Sequence, residues 1–288
     1  MRVLEKSLHK ARLIIGKVLR KTSNLVMEKQ YLYEVFKESC YAKGYLIDEY
    51  DDGLKIKIDN EHAVTLRNGS SDSEVFAQVF LSGEYSPAVH FLKNNGIDVK
   101  HIMDCGANIG ISSVYFNSKF PGAAIYAVEP EPANYHCLEQ NLSSLSGVKK
   151  INKAIWFEKC YLSFDRSFRD RKEWSVRVRT TENNEKADIQ VEATTISDII
   201  SEFSIETIDL LKIDIEGAEK ELFSKPEYLQ FLQKTKVIVM EIHDEFNIRA
   251  HIHQMLRANN FLIFETNDTT IGFNLNYIKN NHSRPIDL

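Results

Sequence analysis

Apolar and polar positions change their period several times along this chain. Over residues 1–30, Leu8, Ala11, Ile14, Ile15, Val18 and Leu19 gather on one face of a helical wheel, opposite Lys10, Lys17, Arg20 and Lys21. That spacing predicts a basic amphipathic helix, followed by a second helical stretch over 31–41. From 45 to 66 the period drops to two. Short strands are expected at 45–50, 54–58 and 63–66, broken by Asp51, Asp52 and Gly53 and by Asp59, Asn60 and Glu61. Val75, Phe76, Val79 and Phe80 then recur at three and four, as in a helix capped by Ser71 or Asp72 and stopped at Gly83, with Glu84 and Tyr85 just beyond.

From residue 100 the chain alternates. Short apolar strands are predicted at 100–104, 124–129, 148–154, 207–214 and 237–243, with helices at 111–120, 133–142, 218–223 and 248–258. A final pair, 261–265 and 271–277, flanks a turn at Asn267, Asp268 and Thr269. Repeated strand–helix units imply a mostly parallel sheet with helices on both faces, an α/β domain over 65–288 behind a helical and small β extension over 1–64. Ligands in such sheets gather at the carboxyl ends of the strands. Those ends carry Asp104, Glu129, the stretch 152–154, Asp214 with Glu216, and Glu241 with His243.

The most informative junction is HIMDCGANIG, residues 101–110, a strand, a glycine turn and the start of a helix. Gly106 and Gly110 permit backbone angles that side chains forbid, and the helix amino terminus presents unpaired N–H groups. The dinucleotide fingerprint is not met, because Asn108 and Ile111 stand where its second and third glycines belong. Asp104 at the strand end would repel a phosphate but attract an ammonium group. Glu129, nineteen residues after Gly110, can accept two hydrogen bonds from a ribose diol. Together they favour S-adenosylmethionine over NAD and disfavour an NAD-dependent oxidoreductase.

Composition narrows the picture further. The chain has 288 residues, a hydrophobic content of 43%, enough for a sizeable core, and a formal net charge of -5, which argues against a general nucleic-acid binder. The four cysteines, Cys40, Cys105, Cys137 and Cys160, form no C-x-x-C pair, so neither a disulfide framework nor a zinc knuckle is expected, and a reduced, cytoplasmic setting is the simplest reading. No apolar run reaches the length of about 20 residues that spans a bilayer. The basic helix over 1–30 is compatible with peripheral contact at the inner face of a membrane, with a cap on the domain, or with a homodimer contact.

Five segments, HIMDCGANIGISSVYF, YAVEPEP, VEATTISDII, IDLLKIDIEGAEKELF and VIVMEIH, together resemble the FkbM family of S-adenosylmethionine-dependent methyltransferases, and LKIDIEGAE at 211–219 is the most telling of the matches. The resemblance covers roughly 65–277, in the family's order. It implies a Rossmann-like, seven-stranded class I methyltransferase sheet with its last strand inserted antiparallel, and O-methylation of a hydroxyl on a sugar, glycan or natural-product scaffold. It further implies that Asp104, Gly106, Asn108 and Gly110 hold the methionine end of the cofactor, Glu129 the ribose, and Ala154 with its neighbours the adenine. Tyr85 is expected to close over the cofactor.

A hydroxyl acceptor must lose its proton, and a nearby base assists. His243, with an ordinary pKa of about 6.5, is the expected base, and Asp214 orients it or binds substrate hydroxyls. Glu241 is expected to support His243 or face the cofactor, while Glu216 and Glu219 could equally be helix-capping and surface acids. Asp214, Glu241, His243 and Asp244 could also present ligands to a divalent ion, but no spacing among them is diagnostic of a metal, and none is expected. Arg169, Arg171 and Trp174, within an arginine-rich segment over 166–179, are expected with Glu216 to line an acceptor pocket, against the alternative of a solvated hairpin. The competing function is a noncatalytic nucleotide-binding module that recruits partners through its basic helix.

Overall fold

The computed structural model describes residues 22–165, 177–180, 190–243, 247–266 and 269–278. Most of the basic amphipathic stretch lies outside these residues. What is described there is one continuous helix, α1 (Thr22–Ala42), rather than a break near residue 30. Its Phe36 and Cys40 reach the core, where Phe36 meets Phe76 edge-on at 5.9 Å between ring centroids.

The small β extension is present. β1 (Leu46–Tyr50), β2 (Gly53–Lys57) and β3 (Ala63–Arg67) form a three-stranded antiparallel sheet. The expected division at residue 64 falls inside β3. Leu54, Ile56, Val64 and Leu66 are buried in the same apolar cluster as Ile102 and Ile125 of the main sheet, so the extension shares the core of the α/β domain. Helix α2 (Asp72–Phe76) continues as a π turn (Ala77–Leu81). Ser71 stands at its amino terminus without a side-chain capping bond, and Asp72 instead accepts from the Arg67 backbone and guanidinium, so the capping role expected of either residue is not played. Beyond Tyr85 comes α3 (Ser86–Asn94), a helix the apolar pattern did not reveal.

The main sheet comprises β4 (His101–Cys105), β5 (Ala124–Val128), β6 (Val148–Ile151), β11 (Ile208–Ile213), β12 (Thr235–Glu241), β13 (Phe261–Thr266) and β14 (Thr269–Asn274), in the order β13-β14-β12-β11-β4-β5-β6. β14 runs antiparallel to both neighbours while β12, β11, β4, β5 and β6 pair in parallel. That is the class I methyltransferase topology, with the last strand inserted antiparallel. The central strands bury both faces. Ile102, Ile125 and Val239 point to one apolar cluster and Met103, Tyr126 and Met240 to the other, as the two-residue period of a strand requires. Helices α4 (Ile111–Lys119), α5 (Pro132–Asn141), α6 (Ile196–Glu202) and α8 (Arg249–Ala258), with the short α7 (Glu219–Leu222), link the strands.

The strand expected over 148–154 is divided. β6 ends at Ile151, and β7 (Ala154–Ile155) joins a separate four-stranded sheet with β8 (Tyr161–Asp165), β9 (Arg177–Thr180) and β10 (Gln190–Thr194). Asn152 makes the break, its side-chain amide donating to the carbonyls of Glu129 and Pro130. Among the described residues no helix is long and apolar enough to cross a membrane. All four cysteines are free thiols.

Candidate active site

The turn after β4 has a backbone reason for its first glycine. Gly106 has φ +78°, and a Cβ there would lie 1.7 Å from the Asp214 carbonyl oxygen. Only glycine lets β4 and β11 approach this closely at their carboxyl ends. Gly110, φ +89°, starts α4, and Asn108 also takes a left-handed φ of 51°. Lys212 secures the turn from β11. It is 3% exposed, donates to the Gly106 carbonyl at 2.6 Å, and lies 3.4 Å from both Asp104 and Asp214. Burial works against its charge, yet Asp214, Tyr85 and Asp104 hold its pKa well above the ordinary lysine value.

Asp104 differs from expectation. It is fully buried and accepts from Ser112 and Ser113, each at 2.6 Å, beneath the amino terminus of α4. Its place in the strand's alternation aims it under the helix rather than into the cleft, so it braces the turn with Lys212 instead of facing a ligand ammonium.

The cleft itself opens at the carboxyl ends of β4, β5, β11 and β12. Gly106, Ala107 and Asn108 form its floor, Glu129 and Ala154 one end, Asp214, Glu216 and Glu241 the other, and Tyr85 one wall. Gly110 belongs to the turn but does not line the cleft. Tyr85 is held by Phe116 at 5.2 Å between centroids. Glu129 accepts the backbone N–H groups of Asn108 and Glu131 on separate oxygens, which fixes the carboxylate and leaves each oxygen a further lone pair. Burial raises its pKa to about 7 against the pull of those two hydrogen bonds.

At the opposite end His243 is 1% exposed, with Nδ1 at 2.8 Å from Glu219 Oε1. Burial pulls its pKa down, but the hydrogen bond and charge of Glu219, with Asp214 and Glu216, outweigh that and raise it to about 10. These acidic surroundings thus favour positive charge at the position of this ring. Glu219 is fully buried, so it is neither a surface residue nor a simple cap. Glu241 is raised to about 7, first by the Asp214 charge and then by burial. Glu216 holds a left-handed φ of 52° immediately before Gly217, a conformation that strains a non-glycine residue by about 1–3 kcal/mol.

The turn, Glu129, Ala154, Tyr85, Asp214 and Glu216 thus line one cleft, with His243 buried behind Asp214 and Glu216 rather than lining it, whereas Arg169, Arg171 and Trp174 lie outside the described residues. Sequence reasoning missed Lys212, and the signal was there, since a lysine inside the apolar run IDLLKI must find buried partners. It also gave Glu219 no role at His243, and no feature of spacing reveals that pair.

The methyltransferase FkbM domain matches residues 104–263, more than half of the chain. The chain belongs to the FkbM methyltransferase family. Curated relatives agree with this. The methyltransferase sdnD of Sordaria araneosa is 30% identical over 56% of this chain and 73% of its own length. The 31-O-demethyl-FK506 methyltransferase FkbM of Streptomyces tacrolimicus is 25% identical over 58% and 74%, and the 2-O-methyltransferase NoeI of Sinorhizobium fredii 28% over 50% and 63%. This FkbM methyltransferase uses S-adenosylmethionine, and the cleft suits it. Six carboxylates line the cleft against two lysines, an environment that attracts a ligand with sulfonium and ammonium charges and repels a pyrophosphate.

Proposed function

We propose that this FkbM methyltransferase methylates a hydroxyl oxygen of a sugar, glycan or natural-product acceptor. The observation that carries this reading is the carboxylate group formed by Asp214, Glu216 and Glu241 at the end of the cleft away from Glu129. Carboxylates accept hydrogen bonds from hydroxyls, hold a polyhydroxylated molecule in place, and take up the proton that an alcohol must lose. The relatives named as 31-O- and 2-O-methyltransferases support oxygen as the acceptor atom.

S-adenosylmethionine, when bound, supplies an electrophilic methyl carbon on a positively charged sulfur. The chain's own residues divide the remaining work. Glu129 takes the ribose hydroxyls, the backbone of Gly106 to Asn108 the methionine end, and Ala154 the adenine side, while Tyr85 closes one wall. Asp214 and Glu216 orient the acceptor. Glu241, whose side chain is 33% exposed against 26% for Asp214, receives the hydroxyl proton. Asp214 and Glu216 would hold the acceptor oxygen in line with the methyl group that the cofactor supplies, and that alignment would contribute most of the acceleration. Arg169, Arg171 and Trp174 act on the acceptor side, so reversing both arginine charges raises the acceptor KM without changing cofactor affinity.

The test is turnover against a panel of hydroxylated acceptors, with the product's methylated position read by mass spectrometry. Glu241→Gln should lower kcat by about 10²–10⁴ while leaving the S-adenosylhomocysteine Kd within a few-fold. Intact cofactor binding with no turnover on any hydroxylated acceptor would instead favour the noncatalytic binding module.

A further inference from the structure

The ring of His243 is oriented in a way that methyl transfer alone does not require. Glu219, itself fully buried, takes the Nδ1 side at 2.8 Å and so turns Nε2 toward the cleft's acidic end. Nε2 is buried, has no hydrogen-bond partner among the described residues, and lies 3.4 Å from Glu216 Oε2, 3.6 Å from Glu241 Oε1 and 3.8 Å from Asp214 Oδ1. The Asp214 Oδ1 atom is likewise buried without a hydrogen-bond partner. These separations exceed the roughly 2.7–3.2 Å of a hydrogen bond. The Glu216 separation falls within the spacing of atoms that share one ion, and the Asp214 separation is slightly wider. Ligands at about 2.0–2.2 Å in a tetrahedral site stand about 3.3–3.6 Å apart.

We propose that Asp214, Glu216 and His243 bind a divalent first-row transition-metal ion at the acceptor end of the cleft. Their ligand atoms all lie within 4.8 Å of one another. One imidazole nitrogen with carboxylate oxygens suits manganese, iron, cobalt or zinc better than calcium or magnesium. Glu219 plays the part of the carboxylate that fixes the tautomer and direction of a metal-binding histidine. The proposal deepens the methyl-transfer reading and rests on it for its purpose, since an ion there would polarise the acceptor hydroxyl and leave Glu241 to receive the proton. Spacing along the sequence hides this site because its third ligand arrives from another strand, 27 residues after Glu216.

Ion binding can be read without any acceptor. The full chain, stripped with a chelator and then dialysed, is titrated with manganese while the electron paramagnetic resonance signal of the free ion is followed, and cobalt is added in parallel for its visible absorption. One manganese per chain at micromolar concentration is expected, with a cobalt spectrum shifted by nitrogen ligation. Asp214→Asn, Glu216→Gln and His243→Gln should each weaken binding at least tenfold, and Glu219→Gln by about 10–100-fold as a positioning residue. Circular dichroism and S-adenosylhomocysteine calorimetry on each variant separate lost ligands from lost folding, and Glu216→Gln, on a partly exposed side chain, is the variant least able to unfold the core. The proposal is overturned if the wild-type chain leaves the free manganese signal unchanged and gives no altered cobalt spectrum. It is equally overturned if a bound ion is unaffected in all four variants. Either result with S-adenosylhomocysteine still bound leaves the methyl-transfer reading standing, whereas loss of cofactor binding by the wild type would count against that reading alone.

Discussion

Cofactor binding by this methyltransferase should depend on pH through Glu129. Burial raises that carboxyl from an ordinary 4.5 to about 7, so near neutrality roughly half of the ligand-free molecules carry it protonated. The sign follows from linkage. Between pH 4.5 and 7 the folded chain holds a proton there that the unfolded chain has released, so stability is present below 4.5 and is lost as pH rises through 7. A shift of about 2.5 units at about 1.36 kcal/mol each makes the ionised form cost about 3 kcal/mol. The ribose diol, donating two hydrogen bonds, favours that ionised form and recovers part of the cost. S-adenosylhomocysteine affinity should therefore rise about tenfold per pH unit below 7 and level off above it, with about half a proton released per molecule bound at pH 7. Calorimetry in two buffers of different ionisation enthalpy, between about pH 5.5 and 8.5, measures both quantities. Because Glu241 is also raised to about 7, the control is Glu129→Gln, which should flatten the Glu129 part of the profile. A wild-type affinity that is flat over this range, or an unchanged profile in the variant, refutes the assignment of Glu129 to the ribose.

Two further substitutions test the frame of the site. Gly106→Ala places a methyl group 1.7 Å from the Asp214 carbonyl at a φ of +78°, so β4 and β11 must part, and a loss of at least about 3 kcal/mol is expected in urea denaturation together with loss of cofactor binding. A variant of wild-type stability would show that the turn tolerates a side chain. Lys212→Met removes the cation between Asp104 and Asp214 and should cost about 3–5 kcal/mol near pH 7, because it leaves charges buried without compensation. Urea denaturation measures the loss, and a deficit below about 1 kcal/mol would mean that the cation does not hold the turn.

How far the site could be read from the chain depended on whether its parts were local. The turn was legible because strand, glycine and helix follow one another within residues 101–119, and the parallel sheet because β5, β11 and β12 carry apolar runs of their own. Elements in the polar stretch between β6 and β11 were not, since charged and polar residues interrupt any strong apolar period there. α3 was missed for a different reason, since it is only nine residues long and opens on a serine and a proline that also mark turns. Roles were harder to read than elements. A polar residue at a strand end is expected to meet the ligand, yet Asp104 turns away to Ser112, Ser113 and a lysine from β11, and His243 gives one nitrogen to Glu219. Lys212 reaches a carbonyl 106 residues earlier in the chain. Whether an acid at the edge of a sheet binds a ligand or balances another charge is decided by partners that only folding brings near. The cofactor's end of the cleft is built around one local turn, so its residues stood out along the chain even where, as at Asp104 and Gly110, they do not line the cleft. The acceptor's end is a set of mutual charge compensations among β11, α7 and β12, and it is there that substitutions should change the reaction without disturbing the fold.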